Sequence, residues 1–261
     1  MHSIDFFQID AFTDKVFHGN SAAVCLLDDW LNDELLLAIA AENNLSETAF
    51  IIEAPNGFHI RWFTPNGEIS LCGHATLAAS FVLFELGKCL SDCITFHSLS
   101  GQLSVLRRKD RLTLDFPRFQ YAHSISSETI VSLIDQPVIE AYDSEFDYLV
   151  VLENEAQVQE AQVDLKKLMK LPKRGLIVTS LSSEADFYSR CFYPKHSISE
   201  DPVTGSAHCV LTPYWANKLN KSNLRAIQGL HRKGELFCEL MDHRVFISGY
   251  CRWYLKGHLV I

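Results

Sequence analysis

Glu47 is the residue best placed to move a proton. In Leu45-Ser46-Glu47-Thr48-Ala49-Phe50-Ile51-Ile52, a strand puts Glu47 on the face of Leu45, Ala49 and Ile51, while Phe50 and Ile52 take the other face. An acid held in such a strand is desolvated, its pKa is pushed upward, and it suits a general acid or base. A strand-end Glu pointing at water is the plainer alternative. His74 and Ser206 occupy matching places just after Gly73 and Gly205, and Asp201 lies just upstream of the second glycine. A histidine at a helix N-terminus is biased toward its neutral form and can both take and give a proton. Taken singly, His74 and Ser206 are equally compatible with capping, and Asp201 with a turn carboxylate before Pro202.

The glycines belong to a unit written twice. Arg61-Trp62-Phe63-Thr64-Pro65, Glu68 and Cys72-Gly73-His74-Ala75 recur as Arg190-Cys191-Phe192-Tyr193-Pro194, Glu200 and Thr204-Gly205-Ser206-Ala207, with a slightly longer second copy. The repeat spacing is about half of the 261 residues, as expected for a duplicated enzyme of two similar domains. The first N–H groups of a helix have no partner inside it and sit at the positive end of the macrodipole, so they bind anions. Two related domains facing each other across a pseudo-two-fold would aim two such ends at one small carboxylate, with no Arg required. A lone glycine would read as a tight turn; the duplicated context favours the anion cradle.

Both helices should be buried. After Gly73 come Ala75, Leu77, Ala78, Ala79, Phe81, Val82, Leu83, Phe84 and Leu86, apolar on nearly every face, so the architecture implied is a sheet curled around a central helix. Ser206 to Leu219 repeats the pattern, and Pro213 inside it is expected to kink or shift that helix. A further helix is expected from about Asn32, as N-cap, to Asn43, and others over 126–134 and 164–170. Strands are expected over 4–12, 22–27, 45–53, 58–64, 93–97, 102–107 and 111–116, then 225–228, 235–240, 244–248 and 253–261. The domains expected are 1–117, completed by a strand at about 251–261, and 118–250, with the boundary at Phe116-Pro117-Arg118.

Composition sets the outer bounds. Hydrophobic residues make up 48% and charged residues 21%, which fits a packed globule. A net charge of −9 without a Lys/Arg-rich run argues against a nucleic-acid surface. The N-terminus lacks the basic head and apolar core of a signal peptide, and no run approaches the ~18 apolar residues of a membrane span. A cytoplasmic enzyme with reduced thiols is expected, since none of the eight cysteines forms a C-x-x-C pair. There is no G-x-G-x-x-G, Walker A loop, G-x-S-x-G or H-E-x-x-H. Cys72-x-His74 and His208-Cys209 match no common zinc spacing, so no metal is expected.

Several motifs in fixed order make the chain resemble the PhzF family of phenazine-biosynthesis-like proteins. They are Gly19-Asn20-x-Ala22-Ala23-Val24, Leu45-Ser46-Glu47-Thr48-Ala49-Phe50, Phe63-Thr64-Pro65 with Glu68, Leu71-Cys72-Gly73-His74-Ala75-Thr76, and Glu200-Asp201-Pro202-Val203-Thr204-Gly205-Ser206-Ala207-His208. They span essentially the whole chain. Ser21 stands where many members carry Pro, which bears on loop stiffness. The resemblance implies the diaminopimelate-epimerase-like α/β fold, two curled sheets each around a helix with the site between them, and a homodimer. It implies a cofactor-independent isomerase in which Glu47 shuttles a proton within a small carboxylate-bearing, cyclic substrate. His74, Asp201 and Ser206 would be its other catalytic contacts, and Asn20, Gly73 and Gly205 its substrate contacts. A two-thiol epimerase of the same superfamily is the first alternative. It needs a second cysteine where this chain has Thr204, whose hydroxyl is far too weak an acid, and Cys72 is then structural. A catalytically silent binding protein is the second alternative.

Overall fold

A computed structural model describes residues 3–123, 127–196 and 198–261. The chain divides into two compact units, one of residues 1–115 with 248–261, the other of residues 116–247.

The first unit begins with β1 (Ser3–Ala11), β2 (Asn20–Leu27) and α1 (Asp33–Asn43). It continues through β3 (Glu47–Ala54), β4 (Gly57–Thr64), β5 (Gly67–Ile69) and α2 (Gly73–Glu85), then β6 (Cys93–Ser98), β7 (Gly101–Arg108) and β8 (Arg111–Pro117). β1 runs antiparallel to β2, and β2 parallel to β3 with Ala22 opposite Glu47. β3 and β5 flank β4 antiparallel to it, and β6 joins β4 in parallel. In α2 every residue except Gly73, Phe81 and Glu85 is buried, and the helix lies on β1, β2 and β3. Its small residues Ala75, Ala78, Ala79 and Ser80 permit that close approach. α1 behaves as its caps dictate: Asn32 Oδ1 accepts the Leu35 N–H at 2.8 Å, and Asn44 turns left-handed to end it. Leu36, Ile39 and Ala40 of α1 then pack with Phe50 and Phe63 in one core.

The second unit runs β9 (Tyr121–His123), α3 (Ser127–Val131), β10 (Glu140–Ser144), β11 (Asp147–Val151), α4 (Glu155–Glu160), α5 (Leu165–Leu168), β12 (Gly175–Leu181) and β13 (Phe187–Tyr193). It closes with β14 (Ile198–Asp201), a 3-10 turn at Gly205–Ala207 leading into α6 (His208–Leu219), β15 (Asn223–Gln228), β16 (Gly234–Met241) and β17 (Arg244–Gly249). The last strand, β18 (Cys251–Val260), pairs antiparallel with β1 of the first unit. Strand pairing repeats the first unit step for step. β11 and β12 are parallel, β12, β13 and β14 successively antiparallel, and β15 joins β13 in parallel. The fold is α/β and duplicated.

The repeated Arg and Glu explain themselves here. Arg61 on β4 grips Glu68 on β5 through Nε and Nη2, both at 2.7 Å, and Arg190 on β13 grips Glu200 on β14 at 2.9 and 2.7 Å. Each bidentate fork staples the short strand that leads into a glycine-opened helix.

Several elements differ from the sequence expectation. α3 stops at Val131 and α5 at Leu168, and residue 126 lies outside the described residues. The strands β10 to β13 escaped the sequence reading. The runs of β11, β12 and β13, such as Tyr148-Leu149-Val150-Val151, are buried on both faces and carry no alternation, and the short β10 is mostly half-buried. Pro213 does not break α6, which is continuous through it. A residue at 213 would normally bond the Cys209 carbonyl. That carbonyl instead accepts the Phe119 N–H at 3.0 Å, so the proline frees an acceptor that anchors the start of this unit. All eight cysteines are free thiols, and among the described residues no helix is long and apolar enough to cross a membrane.

Candidate active site

Three of the expected residues meet in the first unit. β3 begins at Glu47, β2 at Asn20 and α2 at Gly73, so strand register and the helix start bring Glu47, Asn20 and His74 together. His74 Nε2 lies 3.1 Å from Glu47 Oε2, and Asn20 Nδ2 lies 3.3 Å from His74 Nδ1. Glu47 is 6% exposed and His74 5%. The two facing atoms are within ion-pair reach, yet neither makes an aligned hydrogen bond.

The charge state of His74 departs from the expectation. Burial opposes its charge, but the neighbouring Cys72 and Glu47 outweigh it, and the imidazole pKa stands well above the usual histidine value. Burial, reinforced by Glu47, pushes the Cys72 thiol up to about 11, so it is neutral near pH 7. The charge that holds a proton on His74 is therefore the Glu47 carboxylate. The helix end alone suggested a neutral imidazole; the ion pair, legible only in three dimensions, reverses that.

Glu47, Cys72 and His74 also offer three metal-ligating atoms within 4.8 Å of one another. Their arrangement is poor for chelation. Cys72 Sγ faces His74 Nδ1 at 3.5 Å, whereas Glu47 faces Nε2. The two nitrogens point out of opposite sides of the ring, so Cys72 and Glu47 approach different nitrogens of His74.

In the second unit Asp201 ends β14, and its Oδ2 accepts from Thr204 Oγ1 at 2.5 Å. Gln228, fully buried at the end of β15, donates to the Asp201 carbonyl and to Thr204 Oγ1 and accepts the Thr204 N–H. That clamp positions the turn carrying Gly205. Ser206 Oγ accepts from Arg174 Nη2 at 3.0 Å, and Arg174 is itself held by both oxygens of Asp147 at 2.9 and 2.7 Å. Arg174, Asp147 and Gln228 were not among the expected site residues. The repeat held no signal for Arg174: at the spacing of Arg61 and Arg190 it falls against Leu45, and Glu47 falls against Leu176.

Both glycine-opened starts share one electrostatic feature. Cys72 and Thr204 are extended N-cap residues, and neither side chain caps its helix. By contrast α1, α4 and α5 are capped by Asn32, Asn154 and Asp164. Neither Gly73 nor Gly205 has a positive φ, so backbone conformation does not demand glycine at either place.

The duplicated α/β unit is the diaminopimelate-epimerase-like fold. A probable proline racemase from Agrobacterium radiobacter shares this fold at a TM-score of 0.65 and 9% identity, over 99% of this chain and 93% of that one. The family model for phenazine biosynthesis-like proteins, PhzC-PhzF, matches residues 9–257, and the chain belongs to that family. A Pseudomonas aeruginosa protein described as an uncharacterized isomerase is 46% identical over 97% of both chains. The crystal structure of an Enterococcus faecalis PhzF-family protein covers 100% of both chains at 40% identity and a TM-score of 0.95.

Proposed function

We propose that this isomerase of the PhzC/PhzF family moves a proton, and with it a double bond, within a small carboxylate-bearing substrate, using Glu47 as a single shuttle. Its isomerase class rests on full-length relatives at 46% and 42% identity that carry that description. The observation that carries the mechanism is the buried Glu47–His74 pair, 3.1 Å apart and unaligned. In this reading the carboxylate takes a proton from one substrate carbon while the adjacent double bond shifts. The same proton then returns to a different carbon, and the carboxylate is regenerated. His74, cationic beside it, holds the carboxylate in place and balances its charge. Asn20 orients His74 from the Nδ1 side. Asp201 and Ser206 are further substrate contacts, and the uncapped starts at Gly73 and Gly205 are carboxylate-binding ends. A cyclic amino acid fits a shuttle of this kind, which needs two carbons within reach of one acid.

This proton transfer calls for no metal, nucleotide or pyridoxal. The family resemblance extends to a cytoplasmic homodimer, whose mass light scattering would report. Glu47→Gln keeps the shape and removes the proton carrier. Turnover should fall ~10²–10⁴-fold with little change in substrate affinity or melting temperature. Near-normal turnover in that variant would remove Glu47 from the mechanism. The two-thiol epimerase predicts a different outcome: Cys72→Ala would be dead at normal stability, and product formed in heavy water would be inverted at an α-carbon. Under the shuttle, Cys72→Ala stays active and no α-centre inverts.

A further inference from the structure

Arg61, Arg174 and Arg190 each grip a carboxylate through Nε and Nη2, and one is unlike the others. Arg190 spends every nitrogen: Nε and Nη2 on Glu200, Nη1 on the carbonyls of Val158, Gln159 and Ala161. Arg61 does the same, with Nε and Nη2 on Glu68 and Nη1 on Asp33. Arg174 binds Asp147 through Nε and Nη2, and Nη2 also donates to Ser206 Oγ. Its Nη1 has no acceptor among the described residues, and its side chain keeps 31% exposure although Asp147 beneath it keeps 1%. The guanidinium carbon lies over the rings of Tyr193 at 5.0 Å and Phe146 at 5.7 Å. Ser206 Oγ is occupied by the arginine, so its own proton must point elsewhere, and no acceptor for it lies among the described residues. A fixed guanidinium edge and a hydroxyl proton thus stand side by side, both as donors.

Register adds a second argument. Phe50 pairs with Arg61 and Val178 with Arg190, the equivalent arginine. Counting back along both strands, Glu47 corresponds to Gly175 and Ser46 to Arg174. Where the first unit carries its acid, the second carries glycine with a cation beside it. The duplication has diverged in charge at one place in the fold.

We propose that the Nη1 edge of Arg174 and the Ser206 hydroxyl together receive a substrate carboxylate, making Arg174 a specificity residue braced by Asp147. The inference rests on the carboxylate substrate class proposed above and deepens it: a side-chain fork, not backbone alone, selects the planar anion. Acetate is the minimal probe. The Arg174 Nε–Hε resonance, followed by nitrogen–proton NMR, should shift saturably with sodium acetate and not with sodium chloride at equal ionic strength. Ser206→Ala should weaken the acetate response at least threefold. Arg174→Lys, which keeps the charge and loses the fork, should weaken it at least tenfold, read from the Ser206 amide. A flat acetate titration, or the same shift with chloride, overturns the assignment. Glu47→Gln should leave the acetate response intact. A flat titration beside the expected loss of turnover in Glu47→Gln therefore sinks Arg174 alone, and a normal titration beside full turnover in that variant sinks the shuttle alone.

Discussion

Two buried histidines titrate in opposite senses, and each gives stability its own pH dependence. His208 is fully buried with Nδ1 on the Thr204 carbonyl at 2.9 Å, and burial drives its pKa down to about 4. Between that value and the ordinary 6.5 the unfolded chain binds the extra proton, so stability falls as pH falls through this window. The full effect is on the order of 3 kcal/mol. His208→Gln can still donate to Thr204 and should flatten the acid limb of the stability curve measured by denaturant titration. An unchanged slope would show that His208 charges freely in the fold. His74 works the other way. Its raised pKa gives stability that is complete below pH 6.5 and is lost as pH rises through the folded value. The stability difference between wild type and His74→Asn should therefore shrink from pH 6 to pH 9, and a gap that widens would contradict the Glu47–His74 ion pair.

Helix ends carry the function proposed here, and they divide by chemistry. Side chains cap α1, α4 and α5, whereas neither glycine-opened start is capped by a side chain. A Cβ branch at the second start should obstruct the anion. Gly205→Val is expected to weaken substrate binding at least tenfold, about 1.4 kcal/mol, as measured by calorimetry; unchanged affinity would detach that cradle from the site. α6 makes a different use of a missing donor. Pro213 leaves the Cys209 carbonyl to the Phe119 amide, so that amide should exchange with solvent as slowly as the core strands. In Pro213→Ala the restored helical N–H competes for the same oxygen, and Phe119 protection should drop. Equal protection in both proteins would mean that the proline has no such role.

Duplication lets one half of the molecule serve as a control for the other. Arg61 and Arg190 are the same residue in the repeat, but the Arg190 side chain is 7% exposed and that of Arg61 21%. Arg190 also holds three carbonyls around the end of α4, so removing it strands more buried groups. Arg190→Met should cost about 3–5 kcal/mol and Arg61→Met clearly less, read from denaturation midpoints. The reverse order would show that the staple, rather than its burial, sets the energy. The paired strands and staples are shared between the units, while the chemistry is not: Glu47 and His74 stand on one side of the repeat, Gly175 and Ser206 on the other.

Local patterns sufficed wherever a residue's environment follows from its neighbours in the chain. The all-apolar stretch after Gly73 implies a buried helix, Asn32 and Asn44 mark the ends of α1, and the repeated Arg, Glu and Gly reveal the duplication. The motifs around Asn20, Glu47 and His74 were likewise readable, because each lies at the start of an element. Tertiary structure decided the rest, since it depends on partners distant in sequence. His74 is charged because Glu47 is folded against it, and Pro213 is tolerated because Phe119 arrives from elsewhere. Arg174 reaches Ser206 only because parallel β11 and β12 hold Asp147 beside Gly175. Spacing along the chain specifies elements and their ends; electrostatics acts through space, so protonation and donor direction were set by the fold.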